Sequence, residues 1–160
     1  MAGNKTFLDF LNAADRKKIR EHSKSLKFSD RTRILQRGRV NTTIYVIVRG
    51  NVKVIPRQGG RDMTPILLTA GNVIGEMSFI DKDKVSADVI AAGDVHVKVL
   101  DTDIVAQFIL QDPFFFGRFY KALARTLSFR LRSEGGRSAD SVGKRKDKEN
   151  DWDMVDYDKK

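Results

Sequence analysis

Residues 44–55 read Ile-Tyr-Val-Ile-Val-Arg-Gly-Asn-Val-Lys-Val-Ile, which is two β-branched runs separated by a short turn sequence. Valine, isoleucine and tyrosine favour extended strands, and the Arg49-Gly50-Asn51 segment between the runs is typical of a tight turn. The stretch therefore predicts two strands joined as a β-hairpin.

The strand pattern continues from this stretch as far as Leu100. Turn sequences recur at a spacing of roughly ten residues, which is typical of an antiparallel sandwich or barrel. The turns lie at 58–61, 70–72 and 93–94, and the apolar segments between them are 63–69, 73–74, 85–90 and 95–99.

Helical patterns flank the strands on both sides. Apolar residues at helical spacing predict a helix over residues 5–24, a second from Asp101 to Leu110, and a third that starts at Asp112-Pro113 and runs to Arg132. We therefore predict a mainly β fold with flanking helices: an antiparallel β-roll or jelly-roll barrel with an N-terminal helix and two C-terminal helices.

Composition narrows the class of protein. The 160 residues suit one domain and an appendage, and the absence of cysteine excludes disulfides and thiolate metal sites. No apolar run approaches the ~20 residues of a membrane span, and the N-terminus lacks the pattern of a signal peptide. We expect an intracellular, cytoplasmic protein.

The charge divides the chain into two parts. Residues 134–160 hold 7 basic and 8 acidic residues, whereas residues 1–133 hold 23 basic and 13 acidic residues, a net charge of +10. We predict a domain over residues 1–133 and a disordered charged tail or linker over 134–160. The acidic and aromatic end of that tail, residues 151–158, could also dock on a basic surface.

The most informative motif is residues 71–89, Gly-Asn-Val-Ile-Gly-Glu-Met-Ser-Phe-Ile-Asp-Lys-Asp-Lys-Val-Ser-Ala-Asp-Val. It resembles the phosphate-binding cassette of cyclic-nucleotide-binding domains, which runs Phe-Gly-Glu, a short helical turn, a loop, then Arg-Ala-Ala or Arg-Ser-Ala. The hairpin around Gly50, the turn glycine Gly38 and the order of helices and strands are also similar to that family, over roughly residues 7–132. The resemblance implies the same fold and a non-enzymatic regulatory role in signalling.

The resemblance also implies a ligand site. In the family, the cassette glutamate accepts a hydrogen bond from the ribose 2′-hydroxyl, and backbone N–H groups face the phosphate or sugar, so that Glu76 and Gly75 take these roles here. A lid often comes from the last helix, for which Phe129 and Leu131 are candidates. Asp88 could contact the base edge. The expected ligand-binding residues are Ile74, Gly75, Glu76, Met77, Ser78, Lys84, Val85, Ser86 and Ala87.

The chain departs from the family at the phosphate-binding arginine. Alignment on Gly75-Glu76 places Val85 at that position, and valine cannot donate a hydrogen bond. Losing such a charge-assisted pair weakens binding by about ten- to a hundredfold. Either Lys82 or Lys84 replaces the arginine, or the ligand is an uncharged purine nucleoside. We expect cAMP, cGMP or a related nucleoside to bind weakly or atypically, and no cofactor.

Other classes of function find little support. His22 and His96 stand apart from acidic clusters, so we predict no metal site, and no nucleophile–base pair, Walker loop or dinucleotide fingerprint is present. The segment after Arg132 does not predict a DNA-reading helix-turn-helix. The chain is predicted to be a sensor that acts on a protein partner or a fused effector domain. The alternative is a ligand-free adaptor that binds a protein or an anionic membrane through its basic surface.

Overall fold

The computed structural model describes residues 5–135 as four α-helices, seven β-strands and one turn of 3-10 helix. The 3-10 turn is Phe7–Phe10 and the helices are α1 (Ala13–His22), α2 (Glu76–Asp81), α3 (Thr102–Gln111) and α4 (Phe114–Gly135). The strands are β1 (Lys24–Phe28), β2 (Arg33–Leu35), β3 (Thr43–Gln58), β4 (Arg61–Asp62), β5 (Ile66–Leu68), β6 (Val73–Ile74) and β7 (Ala87–Asp101).

The long strands β3 and β7 pair antiparallel and form the centre of the sheet. Thr43 pairs with Asp101 at one end of the ladder, and Pro56 pairs with Ala87 at the other. β1 and β2 pair with β7, whereas β4, β5 and β6 pair with β3. The predicted antiparallel β-roll with flanking helices is confirmed, but the seven-stranded sheet is not closed into a barrel.

The predicted hairpin around Gly50 is wrong, because residues 43–58 form the single strand β3. The register between β3 and β7 shifts on both sides of Arg49, and the turn sequence at Gly93-Asp94 likewise lies inside β7. Gly50 has a φ of +87°, and a Cβ there would lie 2.2 Å from the Asp94 carbonyl oxygen. The two turn sequences face each other, so both strands bend together instead of reversing.

β3 contributes to two hydrophobic clusters, one on each face of the sheet. Ile44, Val46 and Val48 pack with the helices, whereas Ile47 and Val52 pack inside the rolled sheet. A strand that is buried on both faces needs apolar residues at consecutive positions, which explains the unbroken run at 44–48.

The N-terminal segment differs from the single helix predicted over residues 5–24. The 3-10 turn ends at Phe10, and α1 begins at Ala13 because the Asn12 side chain accepts a hydrogen bond from the Asp15 N–H at 2.7 Å. Residues 24–28 then form β1, a strand that the sequence did not predict.

The two C-terminal helices are confirmed. The Asp101 carboxylate accepts a hydrogen bond from Ile104 N–H at 2.9 Å and caps α3, and Asp112 does the same for Phe114 N–H at 3.1 Å before α4. α4 continues to Gly135, beyond the expected end at Arg132. From residue 136 onward the predicted tail, including its acidic and aromatic end, lies outside the described residues.

α4 connects the N-terminal segment to the cassette. The ring of Phe119 contacts the ring of Phe7 edge-on at a centroid distance of 6.0 Å and that of Phe79 at 6.3 Å. Nearby, Arg118 binds the carboxylates of Asp15 and Asp112, with its shortest nitrogen–oxygen distance to each at 2.6 Å.

Within residues 5–135, no helix combines the length and apolar character needed to cross a bilayer.

Replacement of Arg118 should destabilise the fold. Arg118→Met leaves the Asp15 side chain, which is 2% exposed, without its cation, and we expect a measurable loss in the free energy of unfolding. Urea denaturation measures this loss against Lys121→Met, a change at an exposed position on the same helix.

The loss should also depend on pH. Hydrogen bonding from Arg118 lowers the pKa of Asp112 in the folded protein. The stabilisation that the Arg118–Asp112 interaction gives the folded state is therefore present above the unfolded-state pKa, and it disappears as the pH falls through the lower folded-state pKa. The difference between wild type and Arg118→Met should therefore shrink in acid. An equal stability of the two proteins at pH 7 would contradict the assignment.

Candidate ligand-binding site

The cassette, residues 71–89, adopts a strand, a glycine turn and a short helix. β6 ends at Ile74, and Gly75 adopts a left-handed conformation with a φ of +82° directly before α2. A Cβ at Gly75 would lie 2.5 Å from the Thr43 carbonyl oxygen, so only glycine fits this close approach. The Asn41 amide donates to Thr43 O at 2.8 Å and to Ser78 Oγ at 3.0 Å, which holds the turn against β3.

A cavity of about 370 Å³ lies between the cassette, the interior of the rolled sheet and α4. Its volume is within the range of small-molecule sites. Its walls are mainly aliphatic. The lining residues are Leu35, Val54, Pro56, Ile66, Leu68, Ile74, Gly75, Glu76, Met77, Ser78, Val85, Ser86, Ala87, Val89, Leu127, Arg130 and Leu131.

The structure brings eight of the nine predicted ligand-binding residues to this cavity. They are Ile74, Gly75, Glu76, Met77, Ser78, Val85, Ser86 and Ala87. Lys84 is the exception: it does not line the cavity, its side chain is exposed, and its N–H donates to the Asp83 carboxylate at 2.7 Å.

The position of the family's arginine is an apolar part of the wall. Val85 is 7% exposed and belongs to the cluster inside the sheet. Its N–H donates to Arg39 O at 2.9 Å, and its carbonyl accepts from Gly38 N–H at 2.8 Å, so hydrogen bonds fix its register on both sides. Lys84 could occupy this position only if the loop were shifted by one residue, and these hydrogen bonds show that no such shift occurs.

Lys82 does not replace the arginine either. Its ammonium lies over the ring of Phe79, 4.6 Å from the centroid, and its residue ends α2 in a left-handed conformation. Lys82 is not among the residues that line the cavity.

Glu76 is held by an arginine that the sequence analysis did not select. Arg130 Nη1 donates to Glu76 Oε1 at 2.5 Å, and Arg130 Nη2 donates to the Val73 carbonyl at 2.6 Å. The Glu76 side chain is 6% exposed and that of Arg130 is 20% exposed. The sequence carried one signal for this contact: Arg130 follows Leu127 by three residues, which places a charge on the apolar face of α4.

Within residues 5–135, the cavity therefore offers a ligand no unpaired cation. Glu76 and Arg130 are the only charged residues of this range that line it, and they bind each other. An anion that entered this site would lose its hydration without gaining a free cation. An uncharged ligand would not incur this penalty.

The candidates for the lid and for the contact with the base are only partly at the cavity. Leu131 lines the cavity together with Leu127, whereas Phe129 does not. The Asp88 carboxylate accepts from Arg37 N–H at 3.0 Å and lies 3.9 Å from Arg33 Nε. It does not line the cavity, so its contacts are with β2 and the chain just after it. Residues 5–135 contain no group of three histidine, aspartate or glutamate side chains that could hold a metal ion.

Solved structures similar to this one share its fold. The Thermus thermophilus catabolite activator protein matches with a TM-score of 0.67 and 23% identity over 81% of this chain and 59% of its own length. A cyclic nucleotide-binding domain from Methylobacillus flagellatus matches with a TM-score of 0.67 and 22% identity, over 80% of this chain and 85% of that domain. The chain thus spans less than two thirds of the activator protein.

A kinase regulatory subunit has a similar fold. The regulatory subunit of a cAMP-independent protein kinase A from Trypanosoma brucei matches with a TM-score of 0.64 and 21% identity, over 81% of this chain and 46% of that subunit. A variant of it with three substitutions was solved with cAMP in its A site and matches with a TM-score of 0.62 and the same identity.

The sequence itself matches a family. No curated protein sequence matches the chain. The model of the cyclic nucleotide-binding domain matches residues 25–112, more than half of the chain. This range includes the cassette, β3 and β7, on which the cavity depends. The chain belongs to the cyclic nucleotide-binding domain family.

Proposed function

We propose that the chain is a non-enzymatic sensor domain whose cavity binds an uncharged purine nucleoside and binds cAMP or cGMP only weakly. Domains of this family are regulatory and often belong to larger proteins, so the bound state acts on a fused effector domain or a protein partner. The observation that carries the proposal is the charge of the cavity wall. Val85 stands at the place of the arginine, and the only two charged lining residues in the described part of the chain neutralise each other.

The cavity suits the two halves of a nucleoside. Leu35, Ile66 and Val89 belong to an aliphatic wall that can contact the faces of a purine. Glu76 supplies a carboxylate that can accept a hydrogen bond from a ribose hydroxyl, and Ser86 supplies a hydroxyl that can both donate and accept. Neither half of the ligand requires a cation.

The Trypanosoma brucei structures support this reading by analogy. The natural subunit is described as cAMP-independent, and the variant that was solved with cAMP has an arginine and an alanine at two consecutive positions, together with an alanine in place of a glutamate. Here Val85 precedes Ser86-Ala87, so one substitution would restore the Arg-Ser-Ala pattern. The family fold without its arginine therefore suits a ligand other than cAMP.

The first test compares charged and uncharged ligands on the wild-type chain. We expect adenosine or inosine to bind more tightly than cAMP or cGMP, because only the cyclic nucleotides bring an unpaired phosphate charge into the cavity. Titration calorimetry at low and physiological salt measures both classes on the same protein. Micromolar binding of cAMP together with no binding of either nucleoside would refute the proposal.

The second test restores the missing cation. Val85→Arg should strengthen cAMP binding by about ten- to a hundredfold, since a guanidinium can donate two hydrogen bonds to the phosphate. Val85→Leu is the matched control, because it changes the size of the side chain without adding a charge. Adenosine should gain nothing from the arginine, and an equal gain for adenosine and cAMP would show that the effect is not electrostatic.

The alternative function is an adaptor whose cavity binds no small molecule. One feature favours it: positive charges lie near one another on α1, β1, β3 and β7. Lys27 and Arg49 help to lower the pKa of His96, and Arg20 helps to lower the pKa of Lys98, in each case after the larger effect of burial. Such a surface attracts acidic proteins and anionic lipids. Binding to anionic vesicles that is lost at high salt, in a chain that binds no nucleoside, would establish this alternative.

A further inference from the structure

A row of basic residues crosses the sheet outside the cavity. Lys27 on β1 pairs with His96 on β7, and His96 pairs in turn with Arg49 on β3. Neighbouring strands lie about 4.8 Å apart, so the backbones of the three residues stand within about 10 Å of one another. Lys27 and Arg49 are both exposed. Lys27, His96 and Arg49 are called the basic row below.

The positive potential of the basic row acts on its central residue. Burial lowers the pKa of His96 most, the charges of Lys27 and then Arg49 lower it further, and Asp94 raises it by the smallest amount. Within residues 5–135, neither Lys27 nor Arg49 forms an ion pair with a carboxylate. Like charges opposite one another destabilise a sheet, so an acidic partner at this row would stabilise the folded chain.

The chain itself carries a segment of the opposite charge. Residues 151–158, called the acidic segment below, read Asp-Trp-Asp-Met-Val-Asp-Tyr-Asp, with four acidic residues and no basic ones. The segment is therefore complementary to residues 1–133, whose net charge is +10. The aromatic rings of Trp152 and Tyr157 add a second attraction, because such rings bind lysine and arginine cations on their faces.

We propose that the acidic segment docks on the basic row of its own chain. Its carboxylates pair with the exposed cations of Lys27 and Arg49 in charge-assisted hydrogen bonds. The docked segment then covers a surface that an acidic protein or an anionic membrane would otherwise bind. This inference goes beyond the proposed function, since it requires no ligand in the cavity.

The length of the chain permits this contact. Residues 136–150, fifteen in all, separate the end of α4 from the acidic segment, and a chain of that length can extend to about 50 Å. Near that end, Arg130 bonds to the carbonyl of Val73, which pairs with Val46 on β3. Arg49 lies three residues, or about 10 Å, further along this strand. The basic row is therefore well within the reach of the acidic segment.

The chain contains its own probe of this contact, because Trp152 is its only tryptophan. At about 0.01 M salt the fluorescence of Trp152 should be protected from quenching by acrylamide, and this protection should be lost at about 1 M salt, where the screening length falls from about 30 Å to about 3 Å. The protection should not depend on protein concentration, since the contact lies within one chain. Protection that grows with concentration, or none at low salt, would overturn the proposal.

Charge reversal locates the docking surface. Lys27→Glu combined with Arg49→Glu should abolish the protection of Trp152 at low salt. The matched control is Arg57→Glu combined with Arg61→Glu, which makes the same change of charge at exposed positions on β3 and β4 and should leave the protection intact. An equal loss in both variants, or no loss in the first, refutes docking at the basic row. If the first variant fails to fold by circular dichroism, Lys27→Gln combined with Arg49→Gln replaces it, with the same result expected.

The complementary variant changes the acidic segment and leaves the basic row as it is. Neutralisation of the four carboxylates should remove the protection of Trp152 at low salt, because the aromatic rings alone give no salt-dependent attraction of this kind. The substitutions are Asp151→Asn, Asp153→Asn, Asp156→Asn and Asp158→Asn. Protection that survives them would mean that charge does not hold the segment, and the proposal would then be wrong.

Discussion

The antiparallel pairing of β3 with β7 is the contact on which the rest of the molecule depends. All the other strands attach to one of these two, and β3 supplies side chains to both hydrophobic clusters. The bend at Gly50 keeps the two strands together where the register shifts, with the Asp94 carbonyl packed against the glycine. Strand pairs this long bring distant parts of the sequence together, which is how residues near 44 and near 100 meet.

The two sides of the cavity are positioned by different elements, the central strand β3 and the helix α4. Gly75 packs against the backbone of β3 at Thr43, so the position of Glu76 is fixed by the central strand. The wall on the other side of the cavity comes from α4, which Phe119 anchors to Phe7 and Phe79. The cassette side of the site is therefore positioned by the sheet, and α4 meets the cavity at Leu127, Arg130 and Leu131.

Most of the fold was predictable from the sequence, because strand and helix periodicities are local. The caps at Asp101 and Asp112 and the strand at Val73-Ile74 were found in this way. The hairpin at Gly50 was predicted wrongly, since a glycine that bends a strand and one that reverses it look alike until the partner at Asp94 is known. The cassette residues were predicted from the resemblance to the family, whereas Arg130 was missed because its partner lies 54 residues away.

Helix α4 contacts the cassette at two separate points along its length, Phe119 and Arg130. Phe119 contacts Phe79 near the start of the helix, and Arg130 bonds to Glu76 eleven residues, or about 16 Å, further along the helix axis. Because displacement grows with distance from the centre of a rotation, any rotation of α4 about Phe119 would move Gly135 further than Arg130.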